Sequence, residues 1–452
     1  MKQLLILLFI LMSLLTQAQT INIEFPYLAG QTYDFTIFQG NNRITLASDT
    51  IPKGGKVQLQ IPKEYEGYKG MAQWYLTNSR TGGGLDLVLN KEDFSVSCLD
   101  SIPTEKSIIY KNTKENIFGK TNYQKQQALF QKHDAMLATT KAYPKKSKLY
   151  KLATKEYKKI KKQYVDYNLA LKNSKLYAAK FRQIVNITMG IGTIMSTDEN
   201  ERAHNMNHFM VHELDYQNLY TSNHWRGVLT SWVQLQTKVL KEDRKLIGDI
   251  KTILNRIKND AAYTSFVANI TKELTKVGKD EVLDTLKPIV KNSHRLENYE
   301  GILSFYKQDL SGKAPNLIIQ EHIGNPAEHN HVNTELALDA LDSKYSLLFF
   351  YQSGCGPCQE AIQGLQSNYK NLAAKGIRII SISSDTDELV YKNTAAQFPW
   401  KDKYGSLAGF QDLNFKNYGV VGTPTMYILD REGTIIKKTA FIKDVLAWSK
   451  DK

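Results

Sequence analysis

The hydrophobic period changes twice along this chain, and no single layer of secondary structure satisfies all three regimes. From Ile21 to about Leu99, apolar and polar residues alternate. Tyr33–Phe38, Val57–Ile61, Leu85–Leu89 and Phe94–Cys98 each read as a short strand. Gln39-Gly40-Asn41-Asn42 and Lys53-Gly54-Gly55-Lys56 supply turns between them. That spacing predicts a small β-sandwich. From about Lys114 to Gly312 the apolar residues recur every three or four. Leu149, Ala153, Tyr157, Ile160, Tyr164, Tyr167 and Leu171 mark one helix face within an all-α region. After Ser311-Gly312-Lys313-Ala314-Pro315, strands and helices alternate. Ser346–Tyr351, Ile377–Ser383, Thr425–Leu429 and Thr434–Lys438 are strands, with helices after the first two and at the end. This last pattern predicts an α/β domain with a mixed sheet.

Length agrees, since 452 residues at about 150 per domain ask for more than one core. The expected layout is a leader at 1–18, a β domain at 19–105, a helical domain at 106–312 and an α/β domain at 313–452. The leader is read from Lys2, an apolar run from Leu4 to Leu15, and Thr16-Gln17-Ala18 before Gln19. Such a run is too short to span a bilayer comfortably and resembles a cleaved secretory signal. An uncleaved anchor is the alternative. Formal charge is +14, and one of those charges, Lys2, leaves with the leader. Much of the excess lies between Lys145 and Lys162, around the stripe that begins at Leu149. Exported proteins seldom meet nucleic acid, so this excess reads as a solvated face rather than a nucleic-acid site.

Cysteine usage is sparse. Only Cys98, Cys355 and Cys358 occur, too few for a disulfide-stapled scaffold. Two of them form Ser353-Gly354-Cys355-Gly356-Pro357-Cys358, between an apolar strand and an amphipathic helix. A two-residue spacer at a helix start brings the sulfurs within disulfide reach. Pro357 suits the first turn, where its missing N–H costs nothing. The helix N-terminus favours a thiolate at the first position. Cys355 is therefore the expected nucleophile and Cys358 the thiol that resolves the mixed disulfide. Zinc would need two further Cys or His ligands, and no second Cys-x-x-Cys exists. No cofactor is expected.

Other candidates are weaker. His204, His208 and His212 fall on one helix side, but eight residues rise about 12 Å, so one ion cannot reach both ends. His322, His329 and His331, with Glu328, fall in an expected loop and suggest at most an adventitious metal site. Cys98 shares a strand face with Phe94 and Val96 and reads as an inert buried thiol.

Further on, Tyr418-Gly419-Val420-Val421-Gly422-Thr423-Pro424-Thr425 places a proline directly before a strand. With Tyr427-Ile428-Leu429-Asp430-Arg431-Glu432-Gly433 and the Ala314-Pro315-Asn316-Leu317 opening, residues 313–452 resemble the thioredoxin superfamily. More narrowly, they resemble the TlpA/ResA-like periplasmic thiol–disulfide oxidoreductases. The resemblance implies a thioredoxin-like fold in which Cys355 and Cys358 face a cis-proline loop at Thr423–Pro424 that binds substrate. It also implies disulfide-containing exported proteins, including apocytochromes, as substrates and a membrane-embedded electron donor. Three positions depart from the family pattern. Gly354 replaces the usual Trp, Phe349 stands where cytosolic members carry a buried Asp, and Ala361 stands where ResA-like members carry Glu. Glu360 and Asp385 are the candidate substitutes for that carboxylate. The rival readings are a thiol peroxidase and a non-enzymatic binding protein with a vestigial redox domain. A peroxidase would need a Pro-x-x-x-Thr-x-x-Cys run, which Phe349 to Cys355 lack.

Overall fold

The computed structural model describes residues 19–79, 83–307, 312–322 and 331–452. The expected leader at 1–18 lies outside these described residues. They form two compact units, one reaching Lys241 and including Asn255–Lys258, the other comprising Glu242–Leu254 and Asn259–Lys452.

The first unit opens with eight strands: β1 (Thr20–Glu24), β2 (Thr32–Gln39), β3 (Asn42–Thr50), β4 (Lys56–Gln60), β5 (Lys69–Leu76), β6 (Gly84–Asn90), β7 (Phe94–Ser97) and β8 (Ile109–Lys111). They make two four-stranded sheets, ordered β4-β1-β7-β8 and β3-β2-β5-β6. Ile21 and Val96 of one sheet share a core with Phe35, Trp74 and Leu87 of the other. Helices α1 (Lys114–Ala142) and α2 (Lys148–Asn173) follow, with Thr113 and Ser147 accepting the first free N–H groups of each. Ala153, Ile160, Tyr164 and Leu171 are buried along α2, as their spacing predicts. Leu149 is exposed instead, because it lies in the first turn beside the α1–α2 connection. Glu115 is fully buried, yet its carboxylate accepts from Asn90 Nδ2 and from the Tyr177 and Ala178 N–H groups. The latter two open the helix Tyr177–Thr188, where negative charge is favoured.

Helical chain also enters the second unit, as α3 (Asp260–Lys276) and α4 (Asp280–Ser293). A hairpin of β9 (Leu317–His322) and β10 (His331–Leu336) comes next. The main sheet comprises β11 (Tyr345–Tyr351), β12 (Ile377–Ser383), β13 (Asp402–Gly405), β14 (Thr425–Leu429) and β15 (Ile435–Thr439), ordered β13-β12-β11-β14-β15. Strands β11, β12 and β13 run parallel, while β14 and β15 pair antiparallel, so the sheet is mixed as expected. The pleat sends alternate residues of β11 to opposite faces. Leu347, Phe349 and Tyr351 meet α5 (Gly356–Ala374) and α6 (Ile442–Lys450). Leu348 and Phe350 meet Phe415, Tyr418 and Tyr427 on the other face. Each is fully buried, worth roughly 1.5–3 kcal/mol apiece. The centre of this sheet is thus a rigid base for the loop after β11.

One contact ties α3 to the short helix Ser304–Lys307, and another ties α4 to the sheet. The Thr271 and Tyr306 hydroxyls meet at 2.7 Å. Lys438 on β15 sits 4.0 Å from Asp280, with its ammonium over the Phe305 and Tyr427 rings. Such a desolvated cation–π arrangement is stronger than a surface ion pair.

Candidate active site

The loop 352–355 joins the end of β11 to α5, and Cys355 is the N-cap residue of that helix. Gly354 takes φ +74°, a left-handed backbone in which a tryptophan would be strained. Pro357 lies in the first turn. Cys355 is half-buried and Cys358, one turn deeper, is wholly buried. Both thiols are free. Burial pushes the Cys358 thiol up to about 12, and the neighbouring Cys355 side chain adds to the rise. Thr423's side chain and the Gln352 backbone oppose this weakly. Cys358 therefore stays protonated near neutrality.

The structure brings together the four residues singled out in sequence. The Thr423–Pro424 bond is cis. Cys355 Sγ lies 3.6 Å from the Thr423 carbonyl oxygen. Strand β14 starts at Thr425 and pairs with β11 in the register Phe350–Thr425. That pairing sets the proline loop beside the loop carrying Cys355.

Asp385 has a role that its position in sequence did not reveal. Its carboxylate accepts from the Ser353 N–H at 2.9 Å, the Ser353 hydroxyl at 2.6 Å and the Ser383 hydroxyl at 2.7 Å. The Ser353 hydroxyl also meets Thr394 at 2.8 Å. Charge-assisted bonds of this kind are the strong ones. Asp385 thus ties the end of β12 to the residue two before Cys355. Both its oxygens are engaged in that anchor. Phe349 is fully buried and Ala361 nearly so, while Glu360 is exposed. Sequence reasoning could not find this anchor, because Asp385 and Thr394 lie 32 and 41 residues from Ser353 in different elements.

The remaining candidates fall elsewhere. His204 and His208 belong to the helix Glu199–His208, but the chain widens into a π turn at Phe209–Glu213, which breaks the regular stripe. The His208 and His212 rings lie 4.8 Å apart, and His208 Nε2 is 3.5 Å from Glu213. His322 and His331 are register partners in the β9–β10 hairpin, while Glu328 and His329 lie outside the described residues. Among the described residues, no group of His, Cys, Asp and Glu is arranged to hold a metal, and no helix is long and apolar enough to cross a membrane. Cys98 is buried in the first unit, its sulfur 3.4 Å from Ser107 Oγ.

A half-buried cysteine at a helix start, a buried partner one turn on, and a facing proline loop thus stand together on a mixed sheet. Residues 310–438 match the AhpC/TSA family. The thiol–disulfide oxidoreductase ResA of Bacillus cereus is 26% identical over 146 residues, 31% of this chain and 75% of that protein. Mouse nucleoredoxin is 28% identical over 122 residues, 26% of this chain and 28% of that protein. Among solved structures, a thiol:disulfide interchange protein DsbE from Chlorobium tepidum covers 31% of this chain and 95% of its own, at 22% identity and TM-score 0.25. A thioredoxin-like protein from Bacteroides caccae covers 57% of this chain and 95% of its own, at 18% identity and TM-score 0.33. The C-terminal domain is therefore an AhpC/TSA-type thioredoxin-like domain with ResA/TlpA-like homologues. The chain is an enzyme of the thiol–disulfide oxidoreductase class.

Proposed function

We propose that this chain is exported to the periplasm and there reduces or exchanges disulfides in other exported proteins. Export rests on the leader read at 1–18. The chemistry rests on one observation above all: Cys355 Sγ is accessible at the helix start, 3.6 Å from the Thr423 carbonyl, with Cys358 buried one turn behind. In the first step the Cys355 thiolate attacks one sulfur of a substrate disulfide. A Cys355–substrate bond forms, the substrate S–S bond breaks, and the departing sulfur takes a proton. Cys358 then loses its proton and attacks Cys355 Sγ. The Cys355–Cys358 disulfide forms and the second substrate sulfur leaves and is protonated. Two electrons pass from the dithiol to the substrate. Another turnover requires a dithiol donor, and the ResA/TlpA resemblance supports one embedded in the membrane. Thr423 and Pro424 act as the substrate-binding loop, pairing with an extended segment as an added strand does. The two sheets of the first unit form a small β-sandwich in this reading, with no chemical role.

The test is trapping. Cys358→Ser should accumulate a mixed disulfide with substrate through Cys355, visible as a reducible mass increase. Cys355→Ser should accumulate none. Trapping confined to the Cys355→Ser protein would reverse the two roles.

A further inference from the structure

Beside the cysteines, at Pro357 and the proline loop, lies a groove that the thioredoxin-like domain does not build alone. About 520 Å³ in volume, it is lined by Pro357 and Glu360 of α5 and by Val421–Pro424 of the proline loop. Its opposite wall is the end of α3, with Lys272, Thr275 and Lys276. This wall stands close. A Cβ on Gly422 would sit 3.1 Å from the Thr275 methyl group. A Cβ on Gly278 would fall 2.1 Å from the Phe441 ring, so only glycine allows the turn after α3 to press on the start of α6. A second groove of about 680 Å³ adjoins the first and shares Ile302 and Val421 with it.

A bare proline loop would accept an extended segment with little regard to its sequence. Here the segment must lie in a channel, and the channel is charged. Lys272, Lys276 and Lys443 line the first groove, Lys307 and Lys416 the second. Glu360 and Glu300 are the only carboxylates lining them among the described residues. Lys276 is matched by Glu273 at 2.8 Å behind the wall. Lys272, Lys443 and Lys307 therefore face two carboxylates. Ile302, Phe441 and the Pro357 ring supply apolar surface between them.

We propose that the channel selects its substrate: an extended, cysteine-bearing segment with acidic residues beside the cysteine. This deepens the oxidoreductase reading and rests on it. Lys272 of the α3 wall and Lys443 of α6 supply the selectivity and Cys355 the chemistry.

The experiment uses the full chain in its reduced form. Its probes are short synthetic peptides, each with one cysteine blocked as a mixed disulfide with neutral 2-mercaptoethanol and flanked by Glu, Ser or Lys. The readout is the ratio of the single-turnover second-order rate constant for the Glu peptide to that for the Lys peptide. A ratio on the order of tenfold is expected at low salt, falling toward unity near about 0.5 M salt. The double substitution Lys272→Glu/Lys443→Glu should bring the ratio to unity or below. Lys344→Glu/Lys370→Glu makes the same change in net charge, but Lys370 lies about 21 Å along α5 from its start. That pair should leave the ratio as it was. If both pairs of substitutions lower the ratio equally, only net charge matters and the channel is not selective. Turnover of the Ser peptide with equal rates for Glu and Lys peptides would overturn the selectivity and leave the oxidoreductase reading standing. Failure to turn over any of the three peptides would overturn both.

Discussion

Cys98 and Cys355 both follow the end of a buried strand, yet they stand in different chemical settings. Cys98 comes just after β7, and the chain continues without a helix. Its sulfur rests against Ser107 and the Asp100 carbonyl, and no second cysteine lies in its unit. Cys355 comes four residues after β11, and a 19-residue helix begins at the next residue. A second thiol lies one turn on, and a proline loop faces it. Strand ends bury thiols; the helix start and the facing loop are what prepare one for exchange. Reactivity should therefore follow backbone context rather than burial.

The largest expected effect sharpens that contrast inside the site. Burial, the main reason Cys358 is pushed up to about 12, persists when Cys355 is tied to substrate. Between pH 7 and 9 its thiolate fraction should rise tenfold per unit, so the resolving step should accelerate about a hundredfold. Rapid-quench measurement of mixed-disulfide decay would show it. A flat profile would mean that a neighbouring base takes the proton, and Glu360 would return as the replacement for the missing carboxylate. Stability carries the matching sign. The reduced folded state holds the Cys358 proton more tightly than the unfolded chain. This contribution is present below about pH 9 and is lost as pH rises toward about 12.

A middling effect concerns the anchor. Asp385→Asn keeps the shape but removes the charge from three hydrogen bonds. A loss of about 1–3 kcal/mol is expected from denaturant midpoints at constant m. The pseudo-first-order rate of insulin reduction should also fall several-fold, because Ser353 positions the backbone that leads to Cys355. Lost stability with an unchanged rate would show that the anchor serves folding alone.

Much of this site was legible because its chemistry is local. The Cys-Gly-Pro-Cys turn lies within six residues, and the strand after Pro424 announces itself by an unbroken apolar run. The anchor and the α3 wall were not legible, because each joins segments that no periodicity connects. Ser381-Ile382-Ser383-Ser384-Asp385 reads as a strand end, and nothing local says that its carboxylate turns back to Ser353. Strand β5 escaped notice for another reason. Its residues Gly70, Met71 and Ala72 are buried in succession, so the alternation that marks an exposed strand is absent. The helical region looked uniform in sequence, yet its last helices belong to the unit that carries the cysteines.

The smallest expected effect is at Cys98. Its side chain is 1% exposed within the core that both sheets of the first unit share. Replacing it with alanine removes one buried sulfur and leaves a small void, which should cost about 1 kcal/mol. Ser107 keeps its bonds to Thr104, so no buried polar group is stranded by the change. The rate of insulin reduction should stay within about twofold of the unchanged protein, because nothing beside Cys98 resembles the helix start that prepares Cys355. Thermal melting and the insulin assay on one Cys98→Ala preparation test both halves. A large loss of rate with the melting temperature intact would mean that electrons pass through a third thiol, and the separation drawn between the two settings would fail.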